Sequence, residues 1–300
     1  MQSPYTQDPL KVVKGTNKDI HVFSTDVENI DPSVVHSFGE EWLKFNAFDD
    51  NTIDLIAEEY FDIITPAIVN KDSYCIDIGC GTGRWSKYMS KLAGFIECVD
   101  PSDAIYAADK LLGKTENIRL TKASTESLPF PDNTFDFAMS IGVLHHIPDT
   151  QKAMMDCVKK VKKGGYFYCY LYYDFDSRGA IYKTIFKSSD IFRRIVCRFP
   201  TGLKKITCDF LAITLYMPWV LSSRLLIKMG QRKLANKLPL VSYANKPFFV
   251  IRNDALDKFG TSIEHRYSKA EMIQMMENCG LTDVHMSPNM PFYHGIGRKP

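Results

Sequence analysis

The sequence predicts an α/β protein built on a largely parallel sheet with helices on both faces, and three observations carry that prediction. Short apolar runs at 74–78, 95–99, 118–120, 137–141 and 166–172 alternate with helix-compatible stretches, the rhythm of parallel strands joined by helical crossovers. The first run ends at Asp77 and Ile78, then breaks into Gly79, Gly81 and Gly83 before a helix-compatible segment opens near Arg84 and Trp85. Glycines there remove the Cβ atoms that would keep a ligand off the backbone, and amides at a helix start are donors. The third observation is that Asp77, Asp100 and His145-His146 all stand at strand ends, where open α/β sheets bind ligands.

Before the first strand, residues 1–30 read as polar and irregular. A helix is expected over 31–45, entered at Asp31-Pro32-Ser33, and a second over 51–68, where Ile53, Ile56, Tyr60 and Ile64 recur at helical spacing. Helices through about 92, over 104–112 and over 150–161 follow their strands, and Lys163-Gly164-Gly165 reads as a turn before the strand at 166–172. Ser268 with Glu271 forms a predicted capping box for a helix ending at Cys279-Gly280. Segments 281–286 and 292–296 then close the sheet. The expected organisation is a helical cap over 1–68, an α/β core over 69–173, a basic helical insertion over 174–253, and completion of the core by 254–300.

Composition excludes several classes. At 300 residues, 45% hydrophobic and 24% charged, the chain has the make-up of a soluble globular protein with a full core. The polar start of the chain lacks the apolar region of a signal peptide, and no apolar run reaches the length of a membrane span. The eight cysteines never form C-x-x-C, which points to a reducing, cytoplasmic setting and no metal. The charge is segregated: 174–253 holds 15 Lys and Arg against 4 Asp and Glu, although the whole chain is only +2. Within that block, 210–221 is a twelve-residue apolar run interrupted by Pro218. A buried lid helix is the expected reading. The alternative is a membrane-associated helix over 204–228, flanked by Lys204, Lys205, Arg224 and Lys228.

A dinucleotide fingerprint would place its last glycine at 84, which is Arg84. What stands at 77–83 is D-x-G-x-G-x-G. With Asp100 closing the next run, this resembles motif I and the acidic motif II of class I S-adenosylmethionine-dependent methyltransferases. Within that class it is similar to the UbiE-like type and to an uncharacterised bacterial subgroup of it. The resemblance continues through 123–136 (Ala-Ser-Thr-Glu-Ser-Leu-Pro-Phe-Pro-Asp-Asn-Thr-Phe-Asp) and 142–149 (Gly-Val-Leu-His-His-Ile-Pro-Asp).

The resemblance implies a Rossmann-like, seven-stranded sheet with S-adenosyl-L-methionine as cofactor. It implies that Gly79, Cys80, Gly81 and Gly83 line the cofactor, with Asp77 orienting its amino group; capping of the first helical turn is the other role open to Asp77. Asp100, followed by Pro101, would meet the ribose hydroxyls. Ser124 and Thr125 would lie by the adenine, Ser124 standing where the family commonly has Asp, and Ile141 with Gly142 would line the other side. Cys80 is expected to pack rather than to react.

His145 and His146 are the candidate general bases, since histidine titrates near neutrality. Alternation at a strand end would turn only one of them to the site. Trp42, Tyr172, Tyr173, Arg266 and Tyr293 are candidate substrate contacts. The expected function is methyl transfer to a small-molecule or lipid-linked acceptor, anionic or sugar-like in character. The alternatives are an RNA methyltransferase, suggested by the basic block but lacking an appended RNA-binding module, and a non-catalytic protein that keeps the cofactor fold.

Overall fold

A computed structural model of the protein describes residues 5–44, 49–174, 191–291 and 293–300. The chain divides into two compact units, Met1–Ser177 with His265–Pro300, and Arg178–Glu264.

The first unit is organised on a nine-stranded sheet. In chain order its strands are β1 (Lys11–Lys14), β2 (Asp19–Val22), β3 (Tyr74–Ile78), β4 (Phe95–Val99), β5 (Ile118–Lys122), β6 (Phe135–Ile141), β7 (Val161–Tyr170), β8 (Thr282–Met286) and β9 (His294–Arg298). They lie side by side in the order β1-β2-β5-β4-β3-β6-β7-β9-β8. β5, β4, β3, β6 and β7 run parallel, and β9 and β8 close the far edge antiparallel. These seven are the expected strands. The order reverses direction between β3 and β6, so the crevice predicted for ligands opens at the carboxyl ends of these two strands.

The two extra strands correct the reading of 1–30 as irregular. β1 and β2 pair antiparallel, and β2 adds to β5. Their connection is held from a distance: the buried Asp109 carboxylate accepts hydrogen bonds from the backbone amides of Thr16, Asn17 and Lys18 at 2.5–3.3 Å. A contact across ninety residues of sequence leaves no local periodicity to read.

All of β3 is buried, and its side chains alternate between the two faces of the sheet. Ile76 and Ile78 join one apolar cluster, with Met154, Cys157, Met272 and Met276, while Cys75 joins the other, with Trp85, Met89, Ala108 and Leu112. The intervening helices are α1 (Pro32–Lys44), α2 (Asp50–Tyr60), α3 (Arg84–Met89), α4 (Ala104–Leu112) and α5 (Thr150–Lys160). α2 stops eight residues before the expected end at 68. Pro66 cannot donate an amide bond and disfavours helical backbone at the residue before it. The expected turn at Lys163-Gly164-Gly165 is an irregularity inside β7, where pairing with β6 jumps from Phe135–Val161 to Phe137–Tyr166 and Gly164 has φ +80°. The strand start expected at 292 and the residue Phe45 lie outside the described residues.

The second unit is helical. One helix, α6, runs continuously over Gly202–Lys228, with a π-turn at Ala212–Tyr216 just before Pro218. A π-turn widens the backbone where proline lacks an amide, so the helix passes through the expected break. α7 (Arg232–Ala235) and α8 (Phe248–Gly260) follow, and α8 runs straight through the boundary expected at 253. Cys208, Ala212, Tyr216 and Val220 pack on Ile251, Ala255 and Phe259 of α8. Two expectations fail here. By length and composition α6 is apolar enough to cross a membrane, and only 22% of its most apolar window is buried. It is therefore not the buried lid helix that a twelve-residue run suggests.

α9 (Lys269–Asn278) returns to the sheet unit with the predicted capping box: Ser268 Oγ accepts from the Glu271 amide, and Glu271 accepts from the Ser268 amide at 2.7 Å.

Candidate active site

The turn after β3 closes on itself. The amides of Gly79 and Cys80 donate to the Val99 carbonyl at 2.7 and 3.0 Å, Gly81 donates to Asp100 Oδ2 at 2.8 Å, and Gly83 donates to the Cys80 carbonyl. These four turn amides are spent within the protein; the donors expected at the helix start, from Arg84 onward, are not among them.

The glycines are needed for other reasons. Gly79 and Gly83 have φ of +81° and +79°, and a Cβ on either would lie 2.5 Å from the Val143 or the Leu112 side chain. Gly81 differs: a Cβ there would meet only Trp42, at 3.7 Å. The Arg84 guanidinium covers the same indole, 4.9 Å from its ring centre.

Beneath the turn, Asp77 is fully buried. Its Oδ2 accepts from Ser86 Oγ at 2.6 Å, while its Oδ1 is buried with no hydrogen-bond partner among the described residues. Burial pushes its pKa up from 3.8 to about 7, against the pull of Ser86 and Arg84. The capping alternative fails, because Asp77 accepts only from the Ser86 hydroxyl and from no backbone amide of α3. A buried carboxylate oxygen without a donor costs free energy unless a bound group supplies one.

Asp100 ends β4. Its Oδ1 accepts from the Ser102 amide and hydroxyl at 2.8 and 2.6 Å, and burial raises its pKa. With the Gly81 bond, three of roughly four acceptor positions on the carboxylate are used. Pro101 is half-buried beside it. Cys80 is buried and its thiol is pushed well above the usual range by burial, so it packs and does not react. All eight cysteines are free.

Ser124 and Thr125 are buried in the loop after β5. Ser124 Oγ hydrogen-bonds Ser127 Oγ at 2.9 Å, and Ser127 donates to the Ser24 carbonyl, so the segment after β2 covers this loop. Asn29 fastens the cover: its amide donates to Glu126 and its side chain exchanges bonds with Asp149. Ile141 is buried at the end of β6, and Gly142 follows at φ +76°.

His145 and His146 are not on a strand end. They form a 3-10 turn, Leu144–His146, and both are buried, so alternation does not separate them. Their ring centres are 4.1 Å apart, and Tyr172 lies 4.0 Å from His145. Neither His145 ring nitrogen has a partner among the described residues. Burial holds its pKa well below the ordinary value, reinforced by His146, Arg266 and His265. It is a neutral imidazole.

The Arg266 guanidinium lies 5.2 Å from the Tyr172 ring centre and donates to the Tyr173 carbonyl at 3.1 Å. Tyr173 and Tyr293 meet edge to face at 6.0 Å. Four of the five predicted substrate residues, Tyr172, Tyr173, Arg266 and Tyr293, thus lie together just past the end of β7, with Tyr172 beside the histidines, whereas Trp42 lies over Gly81.

Sequence reasoning missed the residue that joins the two halves of the site. Phe38 packs on His146 at 4.8 Å, and Trp42, one turn along α1, covers Gly81. Their i, i+4 spacing marks one face of a helix, a signal that Trp42 alone did not reveal. Ser86, the partner of Asp77, lay in plain view but without a pattern. Among the described residues, no group of three or more His, Cys, Asp or Glu converges as a metal site.

Residues 76–169 match the family described as a methyltransferase domain. A sterol 4-C-methyltransferase of Caenorhabditis elegans is 31% identical over 108 residues, which is 34% of this chain and 32% of that protein. A demethylmenaquinone methyltransferase of Staphylococcus aureus is 32% identical over 106 residues, 34% of this chain and 44% of that protein. The chain therefore spans less than half the length of these curated relatives. A SAM-dependent methyltransferase from Aquifex aeolicus aligns over 83% of this chain and 97% of that one, with a TM-score of 0.42 and 14% identity. The domain match implies S-adenosylmethionine as the cofactor.

Proposed function

We propose that this chain, which carries a class I S-adenosylmethionine-dependent methyltransferase domain over 76–169, transfers a methyl group to a small-molecule or lipid-linked acceptor. One observation supports the cofactor assignment most directly: the unpartnered Oδ1 of buried Asp77 beneath the glycine turn. An ammonium group is the donor that such an oxygen lacks, and the methionine end of the cofactor carries one. The remaining acceptor capacity of Asp100 suits a ribose hydroxyl, and 123–128 with Ile141 and Gly142 suits the base. When bound, the cofactor supplies a methyl group made electrophilic by a positively charged sulfur.

The rest is work for the chain's own residues. α1 lays Phe38 and Trp42 over the turn and the histidines, which excludes water and holds reactants in register, worth on the order of 7 kcal/mol or more in well-aligned systems. His145 is kept neutral, so its open nitrogen accepts a hydrogen bond from an acceptor hydroxyl or amine and orients it. Its depressed basicity makes positioning the better reading than full proton abstraction. Arg266, with Tyr172 and Tyr173, would recognise an acceptor bearing an anionic or sugar-like group.

The relatives named for a sterol and for demethylmenaquinone support a small-molecule acceptor. Incubation with a methyl-labelled cofactor and a metabolite and lipid extract, followed by mass spectrometry, tests this. Label appearing in a small molecule with wild type and not with Asp77→Asn supports the proposal. Cofactor binding without any labelled product would instead favour a non-catalytic binding protein, and label in RNA would favour the nucleic-acid alternative.

A further inference from the structure

The second unit, Arg178–Glu264, is under a third of the chain, yet it holds fourteen of the twenty-one large hydrophobic side chains left exposed among the described residues. Scattered single exposures are ordinary, but a concentration of this kind marks a surface meant to be covered. α6 carries most of it. One face of the helix is used against α8, and away from it Ile206 is 68% exposed, Phe210 63% and Leu225 59%, with Trp219 also exposed and Met229, just past the helix end, at 62%.

The polar side chains on that face make no outward demand. Thr214 Oγ1 and Ser222 Oγ both donate back along the helix, to the Phe210 and Pro218 carbonyls at 2.8 Å. The only charge within 206–223 is Asp209, which is held bidentate by Arg252 of α8 at 2.6 and 2.8 Å. Positive charge brackets the apolar face: Lys204 and Lys205 precede it, and Lys228, Arg232 and Lys233 follow. The unit as a whole has 16 Lys and Arg against 5 Asp and Glu.

We propose that α6 lies in the plane of an anionic membrane surface, with this face among the acyl chains and the flanking lysines and arginines on the headgroups. An apolar stripe alone would accept several partners; an apolar stripe on a body of net +11 is complementary to negatively charged lipid. Nucleic acid offers the charge but no home for Ile206, Phe210 and Leu225. Spanning is the poorer fit, because α8 packs along α6 and would carry Arg252, Asp254, Asp257 and Lys258 into hydrocarbon. The inference concerns attachment and does not depend on methyl transfer.

Vesicle co-sedimentation of the full chain tests it, using phosphatidylcholine alone and phosphatidylcholine mixed with phosphatidylglycerol. The expected result is binding to the mixed vesicles, weakened by added salt, with a blue shift in tryptophan emission that Trp219→Phe abolishes. Phe210→Glu and Leu225→Glu replace exposed side chains, leave the fold intact by circular dichroism, and each reduce partitioning about tenfold or more. Leu55→Glu, at an exposed site in the other unit, leaves binding unchanged. No sedimentation, equal binding to neutral vesicles, or resistance to alkaline extraction typical of a spanning helix would overturn the proposal. So would a Phe210-dependent dimer in light scattering without vesicle binding.

Discussion

The sheet unit and the insertion treat their difficult groups in opposite ways. In the sheet unit apolar surface is hidden and the cost appears as a buried polar atom, Asp77 Oδ1, that the protein does not satisfy. In the insertion the polar side chains on the outer side of α6, Thr214, Ser222 and the Asp209–Arg252 pair, are satisfied, with Ser223 Oγ on its packed side left buried without a partner among the described residues, and exposed apolar surface is what dominates. Each leftover indicates the kind of partner that would remove it: a small cationic group for one, a lipid surface for the other.

Equivalent glycine substitutions should separate the two units most sharply. Gly83→Ala forces both a left-handed backbone on alanine and a Cβ 2.5 Å from Leu112, and should cost about 3 kcal/mol or more in denaturant unfolding. Gly230→Ala in the insertion has φ +77° but nothing within 4 Å, and should cost about 1 kcal/mol. Equal losses would break the contrast between a packed turn and an open one.

The second effect is one of pH. Unfolded Asp77 loses its proton near 3.8, and the folded group holds it to about 7. Between those values the folded state binds more protons, so stability falls as pH rises through the window and levels off above it. Asp77→Asn should flatten that slope, as read from urea midpoints across the range. Affinity for S-adenosylhomocysteine should move the other way, rising through the same window, because an ammonium ligand favours the carboxylate.

The smallest expected change is in the insertion. Arg252→Leu removes the partner of Asp209, but both side chains are about a third exposed, so the loss should be about 1 kcal/mol by thermal or chemical unfolding. A much larger loss would mean that the α6–α8 contact depends on charge more than on Cys208, Ala212 and Val220.

The same contrast explains what could be read from the sequence. β3 to β7 and their helices repeat a short local period, and the glycine turn, Asp100 and the histidines sit at fixed offsets within it, so core and site emerged together. The β1–β2 hairpin did not, because its anchor is Asp109, far along the chain. α6 was misjudged because Pro218 reads as a break, and the compensating π-turn has no sequence signature. The roles of the turn glycines were half legible: a tight turn free of Cβ atoms was expected, but Val143 and Leu112 as the neighbours that forbid side chains at Gly79 and Gly83 were not. Phe38 was passed over because its partner His146 belongs to a 3-10 turn that the strand reading did not foresee.

The cradle itself is best tested by calorimetric titration of S-adenosylhomocysteine into the full chain and into Asp77→Asn. A single saturable site in wild type, weakened about tenfold to a hundredfold in the variant without loss of folded structure, is the predicted result. Absence of heat with wild type, or equal affinity in the two proteins, would contradict the assignment of Asp77 and the glycine turn as the place where the cofactor is held.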